Sequence, residues 1–460
     1  MLLKAEEYSN TKEKQIMQYR AAVVSLGCNK NLVDSEIMMK YLFEAGCTVV
    51  QDPAGADIVF VNTCGFITEA KEESIRTIFE MLELKKQGVR AVFATGCFAK
   101  RYAKELRSQV PELDGILGVY DYSHISEMLN CFENGRKYFC TEGTPEYMDT
   151  APGRIVSTPS YSAYLKIADG CSNRCHYCAI PSIRGDYCSR DFDSLIKEAR
   201  ALYDGGVREL IVTAQDSTRY GEDKGKGRLT ELLKSLEGIG FKWIRLLYAY
   251  PSRISDELLE YMNSSSVICH YLDMPIQHTE DKMLKAMNRH YNSDVIKHIY
   301  DKVRSFDKPW ALRTTVICGY PGETPADFRH MLDFLKQRPF ELLGAFRYSP
   351  EEGTVGASLP HQTRASTKQV RFDSVMLQQS SITNELNSKY VGLTLPVLIE
   401  GYSEENSSYV GRCEFQAPEV DGCVYVSGEN LETGSFYSCT VQEAFGYDLY
   451  ASAQAKDKTE

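Results

Sequence analysis

Hydrophobic positions along the chain fall into three regimes. Residues 21–28 (AAVVSLGC), 56–64 (ADIVFVNTC) and 91–97 (AVFATGC) are near-continuous apolar runs, the pattern of strands buried on both faces of a parallel sheet. Amphipathic helical stretches at 34–45 and 69–87 separate them, which predicts an open parallel-sheet α/β domain. Beyond residue 160 a second series appears: SAYLKIADG, ELIVTAQ, WIRLLYAY, CHYLDMPIQ, ALRTTVICGY and LGAFRYSP. Six strand–helix units in succession imply an incomplete (β/α)6 barrel, open at one side. From residue 392 the runs shorten and alternate (LPVLIEGY, SYVGRCEF, DGCVYVSG, SFYSCTVQEAFGYDLYA) between Gly and Asn. That is the signature of a small antiparallel OB-like β-barrel. A Pro/Gly/Thr-rich stretch within 138–160 reads as a linker. The predicted domains are 19–138, 157–387 and 390–457, the last running into the polar stretch AQAKDKTE (453–460).

Cysteines change this picture from architecture to chemistry. Cys171, Cys175 and Cys178 form a CxxxCxxC run in the loop after the first barrel strand, the end of a β/α barrel that carries chemistry. A structural metal or cluster site usually closes with four ligands. Three thiolates on an iron–sulfur cubane leave one iron open, where the amino and carboxylate groups of S-adenosylmethionine (SAM) can chelate. A zinc site completed by His176 is the competing reading. Each apolar run of the first domain also ends in a cysteine, at Cys28, Cys64 and Cys97, flanked by small or turn residues. The carboxyl ends of parallel strands share one edge, so these thiols are expected to converge on a second three-ligand cluster. Three buried core cysteines are the plainer alternative. The other nine cysteines have no partner spacing and are read as packing residues.

Charge narrows the partners. The N-terminus is polar without an apolar signal region, and no stretch approaches a membrane span. Fifteen cysteines in such a chain point to a reducing compartment, so a cytoplasmic protein is expected. Of the net charge of −11, residues 391–460 carry −9, twelve acids against three bases, and the remainder only −2. A concentrated anion repels nucleic acid and attracts a basic protein.

Several motifs, taken in order, resemble the methylthiotransferases of the radical-SAM superfamily: SLGCNKNLVDSE (25–36), NTCGFITEAKEESI (62–75), TGCFAKRY (95–102), LKIADGCSNRCHYCAIPSIRG (165–185), AQDSTRYG (214–221), YLDMPIQH (271–278), ICGYPGET (317–324) and YSPEEGT (348–354). The resemblance spans residues 21 to 453. It departs at Asn29, where the family often has proline. It implies two 4Fe–4S clusters, a SAM-binding one on Cys171, Cys175 and Cys178 and an auxiliary one on Cys28, Cys64 and Cys97, with a C-terminal TRAM domain. QDSTRYG and NKNLVDSE look like the branch that methylthiolates the β-carbon of an aspartate in ribosomal protein S twelve, using two SAM molecules. One SAM would methylate a cluster-held sulfide, and reductive cleavage of the other would supply the radical that removes the β-hydrogen. The first domain's thiol edge must then cap the barrel mouth. A low-potential donor such as flavodoxin or ferredoxin, a monomeric enzyme and no direct tRNA binding are expected. A tRNA adenosine methylthiotransferase and a non-catalytic iron–sulfur or zinc module are the other readings.

Further residues invite roles. Tyr177 is expected to pack on the SAM adenine, and Gln215 and Asp216, ending the second barrel strand, to take the SAM ammonium or a substrate group. Arg313, beginning the fifth strand, could pair with a SAM or substrate carboxylate, with a structural ion pair as the alternative. Gly319, Gly322 and Glu323 lie in the turn after that strand, where glycine lets backbone approach a nucleoside.

Overall fold

Each apolar run becomes a strand of the expected kind. A computed structural model describes residues 19–145, 147–150 and 153–454. The polar leader at 1–18, residue 146 and residues 151–152 of the linker, and the tail at 455–460 (with the last three residues of 390–457) lie outside the described residues. The first domain is a six-stranded sheet. Its strands are β1 (Arg20–Ser25), β2 (Thr48–Val50), β3 (Ile58–Thr63), β4 (Ala91–Thr95), β5 (Gly115–Leu117) and β6 (Tyr138–Cys140), in the order β2-β1-β3-β4-β5-β6. Every pairing is parallel. Ser25, Asn62 and Thr95 share one row of the register. Cys28, Cys64 and Cys97 follow that row by three, two and two residues, so all three leave from one edge.

Helix boundaries depart from expectation. Helix α1 covers Asn29–Glu44 and starts five residues before the amphipathic pattern, with Cys28 as its N-cap. Its early turns face the barrel, so polar residues there are buried and the 3.6-residue stripe is blurred. Helix α2 spans Thr68–Glu83 and tightens into a 3-10 turn over Leu84–Gln87. Cys97 lies inside the short helix α3 (Gly96–Arg101) rather than in a loop.

The second domain supplies β7 (Ser162–Lys166), the small antiparallel ribbon β8 (Ala168–Asp169) with β9 (Cys188–Ser189), then β10 (Glu209–Thr213), β11 (Trp243–Leu246), β12 (Tyr271–Asp273), β13 (Ala311–Cys318) and β14 (Leu342–Arg347). Two parallel triplets, β11-β10-β7 and β12-β13-β14, meet through the single parallel bridge Ile244–Ile268. No pairing joins β7 to β14, so the barrel is six-stranded and open there. The Cys171 loop rises from the carboxyl end of the barrel and is framed by the β8/β9 ribbon.

The long helix Ala365–Asn387 leads to a closed five-stranded barrel of β15 (Thr394–Ser403), β16 (Ser408–Arg412), β17 (Val424–Ser427), β18 (Phe436–Phe445) and β19 (Asp448–Ala453). It is mixed, not purely antiparallel, because β17 and β19 pair in parallel across the closure. This barrel docks on the amino-terminal ends of the large barrel's strands. Glu209, at the start of β10, accepts from Arg245 at 3.0 Å and from Arg412 at 2.6 Å, all three buried. Tyr271, at the start of β12, donates to Asp421 at 2.7 Å. Such pairs are costly to break one-sidedly, on the order of 3–5 kcal/mol, and fix the docking angle. No helix among the described residues is long and apolar enough to cross a membrane.

Candidate active site

Short backbone bonds hold the CxxxCxxC loop. Cys171 N donates to Gly185 O at 3.1 Å, Cys178 N to Cys175 O at 3.0 Å, and His176 N to Met287 O at 3.0 Å. Arg174 takes a left-handed φ of 48° to make the turn. Cys171 and Cys175 are buried and Cys178 is half-buried. Burial, ahead of backbone N–H donation from Asn173, pushes the Cys171 thiol up to about 11; burial and then the two neighbouring thiols push Cys178 higher still. Dry clustered thiols of this kind shed their protons to a metal, not to water.

Spacing tests which metal centre fits. Tetrahedral zinc, with Zn–S near 2.3 Å, holds its sulfurs about 3.8 Å apart. Among the described residues only Asp121, His124 and Cys140 bring three ligand atoms within 4.8 Å of one another. Neither thiol triplet is so tight, and His176 completes no such set; its Nδ1 lies 2.9 Å from Ala286 O. Within each triplet, beyond the effect of burial, the thiols raise one another's pKa, so they are gathered at one place where a polynuclear cluster could be held. Cys140 is more than packing, since its thiol donates to Asp121 Oδ1 at 3.1 Å.

The second triplet is equally built. Cys28 is exposed, Cys64 half-buried and Cys97 buried. A Cβ on Gly27 would stand 2.9 Å from Cys64 Sγ, so the left-handed Gly27 (φ +88°) lets the first strand end pass the second thiol. Burial, opposed by Arg184, pushes Cys97 up to about 12. At Cys28 desolvation of the sulfur raises the pKa although the residue keeps an exposed edge, but the Lys30 and Arg184 charges win and hold it below the ordinary value.

A buried polar seam joins the two triplets. Arg184, six residues after Cys178, donates through Nε to Cys97 Sγ at 3.2 Å and through its other nitrogens to Asp169 and Asp34, each at 2.8 Å. Lys166 pairs with the same two carboxylates. Asn29 lies across from Thr213 at 3.2 Å, and Lys30 Nζ sits 3.4 Å above the Tyr248 ring. Thr213 ends β10 and Tyr248 follows β11, so the thiol edge of the first domain does cap the barrel mouth. On the far flank Glu351, beyond β14, takes Lys71 at 2.8 Å and Arg101 at 3.0 Å. The first domain thus bridges the barrel's open side. Arg184, Lys166, Asp34 and Asp169 were missed in the sequence; the one available signal is that apolar or small residues surround each charge.

The other expected residues divide. Gln215 donates to Asp169 Oδ1 at 2.7 Å, while its Oε1 is buried without a partner. Asp216 is buried and accepts from Asn173 at 2.8 Å and Arg253 at 3.1 Å. Tyr177 OH accepts from Arg289 at 3.3 Å, and Arg289 also reaches Cys175 Sγ at 3.6 Å. Arg289 is another residue the sequence did not flag. Gly319 and Gly322 are left-handed (φ +78° and +82°), and Glu323 accepts from the N–H groups of Gly319 and Tyr320. Burial, only partly offset by Arg371, pushes the Glu323 carboxyl up to about 7. Arg313 does not join them. It is held by Asp273 at 3.0 Å and by Asp421 of the C-terminal barrel at 3.2 Å, so its carboxylate partners are the protein's own.

Comparison with known proteins agrees with this geometry. Residues 20–118 match the family described as uncharacterized protein family UPF0004, 165–335 the radical SAM superfamily and 391–453 the TRAM domain. The chain is 46% identical over 434 residues to ribosomal protein uS12 methylthiotransferase RimO of Clostridioides difficile (strain 630), covering 94% of this chain and 98% of that one. It is 45% identical to the protein of the same name from Syntrophus aciditrophicus (strain SB), over 93% and 97%. Among solved structures, the radical SAM methyltransferase TsrM from Kitasatospora setae superposes with a TM-score of 0.54 at 14% identity, over 74% of this chain and 77% of that one, a likeness of fold.

Proposed function

We propose a reaction for this chain on the premise that it belongs to the RimO family of uS12 methylthiotransferases and is therefore a radical-SAM enzyme: transfer of a methylthio group to the β-carbon of an aspartate in ribosomal protein uS12. The observation that supports the reading is the pair of three-thiol sets at the barrel mouth, with Arg184, six residues after Cys178, bonded to Cys97 of the other set. Cys171, Cys175 and Cys178 would hold one 4Fe–4S cluster and Cys28, Cys64 and Cys97 the other. When bound, these groups supply an open iron for SAM, the electron that cleaves it, and a carrier for sulfur; an unactivated C–H bond has no acidic proton and yields only to such chemistry.

The chain's own residues orient and exclude. Gly322 leaves open space at the turn after β13 for backbone to lie against the SAM nucleoside, whereas Gly319 packs on Lys368 and Thr363 and the Glu323 carboxyl is enclosed by two N–H groups and Arg371, so both shape that turn from within. Tyr177, backed by Arg289, presents its ring beside Cys178. Gln215, with one buried oxygen lacking a donor, and Asp216 line the end of β10. The N-terminal domain over the mouth keeps water from a radical that would otherwise be quenched.

Charge favours a basic protein over tRNA. Arg412 is the one basic residue among described residues 391–454, and Glu209 consumes it, whereas Glu404, Glu405, Glu419, Glu429, Glu432 and Glu443 are exposed. A surface with acids and no exposed base repels phosphate and steers in a cationic partner. A flavodoxin- or ferredoxin-like donor would supply electrons to a monomeric, cytoplasmic enzyme. Anaerobic reconstitution followed by mass spectrometry of uS12 tests the proposal: about eight irons per chain and a methylthio adduct on one aspartate are expected. Modification of tRNA with uS12 untouched would reject it.

A further inference from the structure

Two buried cations near the thiols lack a carboxylate partner among the described residues. Arg289 is one, and its N–H groups serve Tyr291 OH, Tyr177 OH, Cys175 Sγ and Pro275 O. Lys30 is the other. It is only 7% exposed, and its ammonium rests 3.4 Å over the Tyr248 ring. By contrast Lys166, Arg184, Arg154 and Arg190, in the same interdomain seam, are each paired with carboxylates.

Lys30 also stands against its local setting. It is the second residue of α1, a sixteen-residue helix with no acid in its first turn, where the macrodipole disfavours a cation. Its platform is constrained as well: Tyr248 adopts φ +60°, a costly conformation for a bulky residue. Backbone bonds brace that residue on both sides. Tyr248 N donates to Asp273 Oδ2 and Ser217 N donates to Tyr248 O, both at 3.0 Å. A cation at an unfavourable helix position over a strained ring has the Cys28 thiol and the Tyr248 ring as its neighbours but no carboxylate among the described residues to offset it. It lies two residues from Cys28, the exposed thiol of its triplet, and at the barrel mouth. An ammonium in such a place stabilises an arriving carboxylate by a charge-assisted hydrogen bond.

We infer that Lys30 is the receptor for the side-chain carboxylate of the residue to be modified, and so discriminates aspartate from its neutral isostere. The inference rests on the functional reading above. Holding the carboxylate at Lys30 fixes the neighbouring β-carbon beside Cys28 and so aims the C–H bond between the two triplets. Lys30 is then a specificity residue, not a ligand of either cluster.

The test uses the reconstituted full-length chain and equilibrium binding of uS12 and of uS12 carrying Asn in place of the target Asp. The native chain should bind the Asp form about ten- to a hundredfold more tightly than the Asn form. Lys30→Met should weaken the Asp form to the level of the Asn form, leave the Asn form unchanged and retain full iron. Lys30→Arg should restore part of the preference, and it stands as the second variant if the methionine one does not fold. An unchanged Asp-to-Asn ratio in Lys30→Met, or equal weakening of both forms, overturns the inference. Loss of about half the iron in Lys30→Met, regained with Arg, makes Lys30 a counter-charge to the auxiliary thiols and also overturns it. A native chain that captures neither form rejects the functional reading itself, a result distinct from any Lys30 effect.

Discussion

A single carboxyl shows how burial sets chemistry here. Glu323 is held near 7 by burial although two N–H groups and Arg371 favour its charge. Between its unfolded value of 4.5 and about 7, the folded chain keeps a proton that the unfolded chain has lost. Stability of the SAM-free protein should therefore fall as pH rises through that window, by on the order of 3 kcal/mol at most, and then level off. Glu323→Gln should abolish the fall, which thermal midpoints near pH 5 and near pH 8 would show; an equal slope in both proteins refutes it. Sequence gave only part of this scale. Cys171, Cys175 and Cys178 are local, and their spacing alone betrays them. Arg184 and Asp34 meet across 150 positions, and no local pattern encodes such a pair. For Arg313 the structural ion pair, the alternative to a ligand role, is the one realised, and its partner stayed hidden for the same reason: Asp421 lies 108 residues away, in a domain whose docking face no periodicity reveals.

At the scale of elements, strands were legible and helix starts were not. Buried parallel strands announce themselves by unbroken apolar runs, whereas α1 opens with Asn29, Lys30 and Asn31 because its first turn faces polar groups across the seam. The shared row Ser25–Asn62–Thr95 makes the auxiliary triplet a property of the sheet edge, and the other triplet belongs to one loop. The two should load independently. Replacing Cys28, Cys64 and Cys97 by Ala should remove about half the iron yet leave some SAM cleavage on reduction. Replacing Cys171, Cys175 and Cys178 should remove the other half and all cleavage. Iron counting with deoxyadenosine assay checks both, and a folded auxiliary-triplet variant unable to cleave SAM would break the division of labour.

Across the whole molecule, the acidic barrel and the thiol-bearing domain occupy opposite ends of the large barrel. Asp421 belongs to the docking face, its side chain nearly inaccessible and bound to Arg313, so only the outward acids bear on recruitment. Reversing Glu404, Glu405 and Glu419 to Lys should slow capture of uS12 at low salt. The difference should fade as the Debye length shortens to about 8 Å near physiological ionic strength, with iron content and SAM cleavage unchanged; a salt-independent defect would contradict electrostatic recruitment. The separation of the two ends has a metric consequence. Eight-residue β13 runs the height of the barrel, roughly 26 Å at about 3.3 Å per residue. A partner gripped below and altered above must itself span that length, so an excised peptide shorter than roughly eight extended residues can visit only one end at a time. If the acidic barrel recruits uS12 as proposed, the distance between the two ends works as a gauge, and fragments too short to reach both should gain nothing from that barrel.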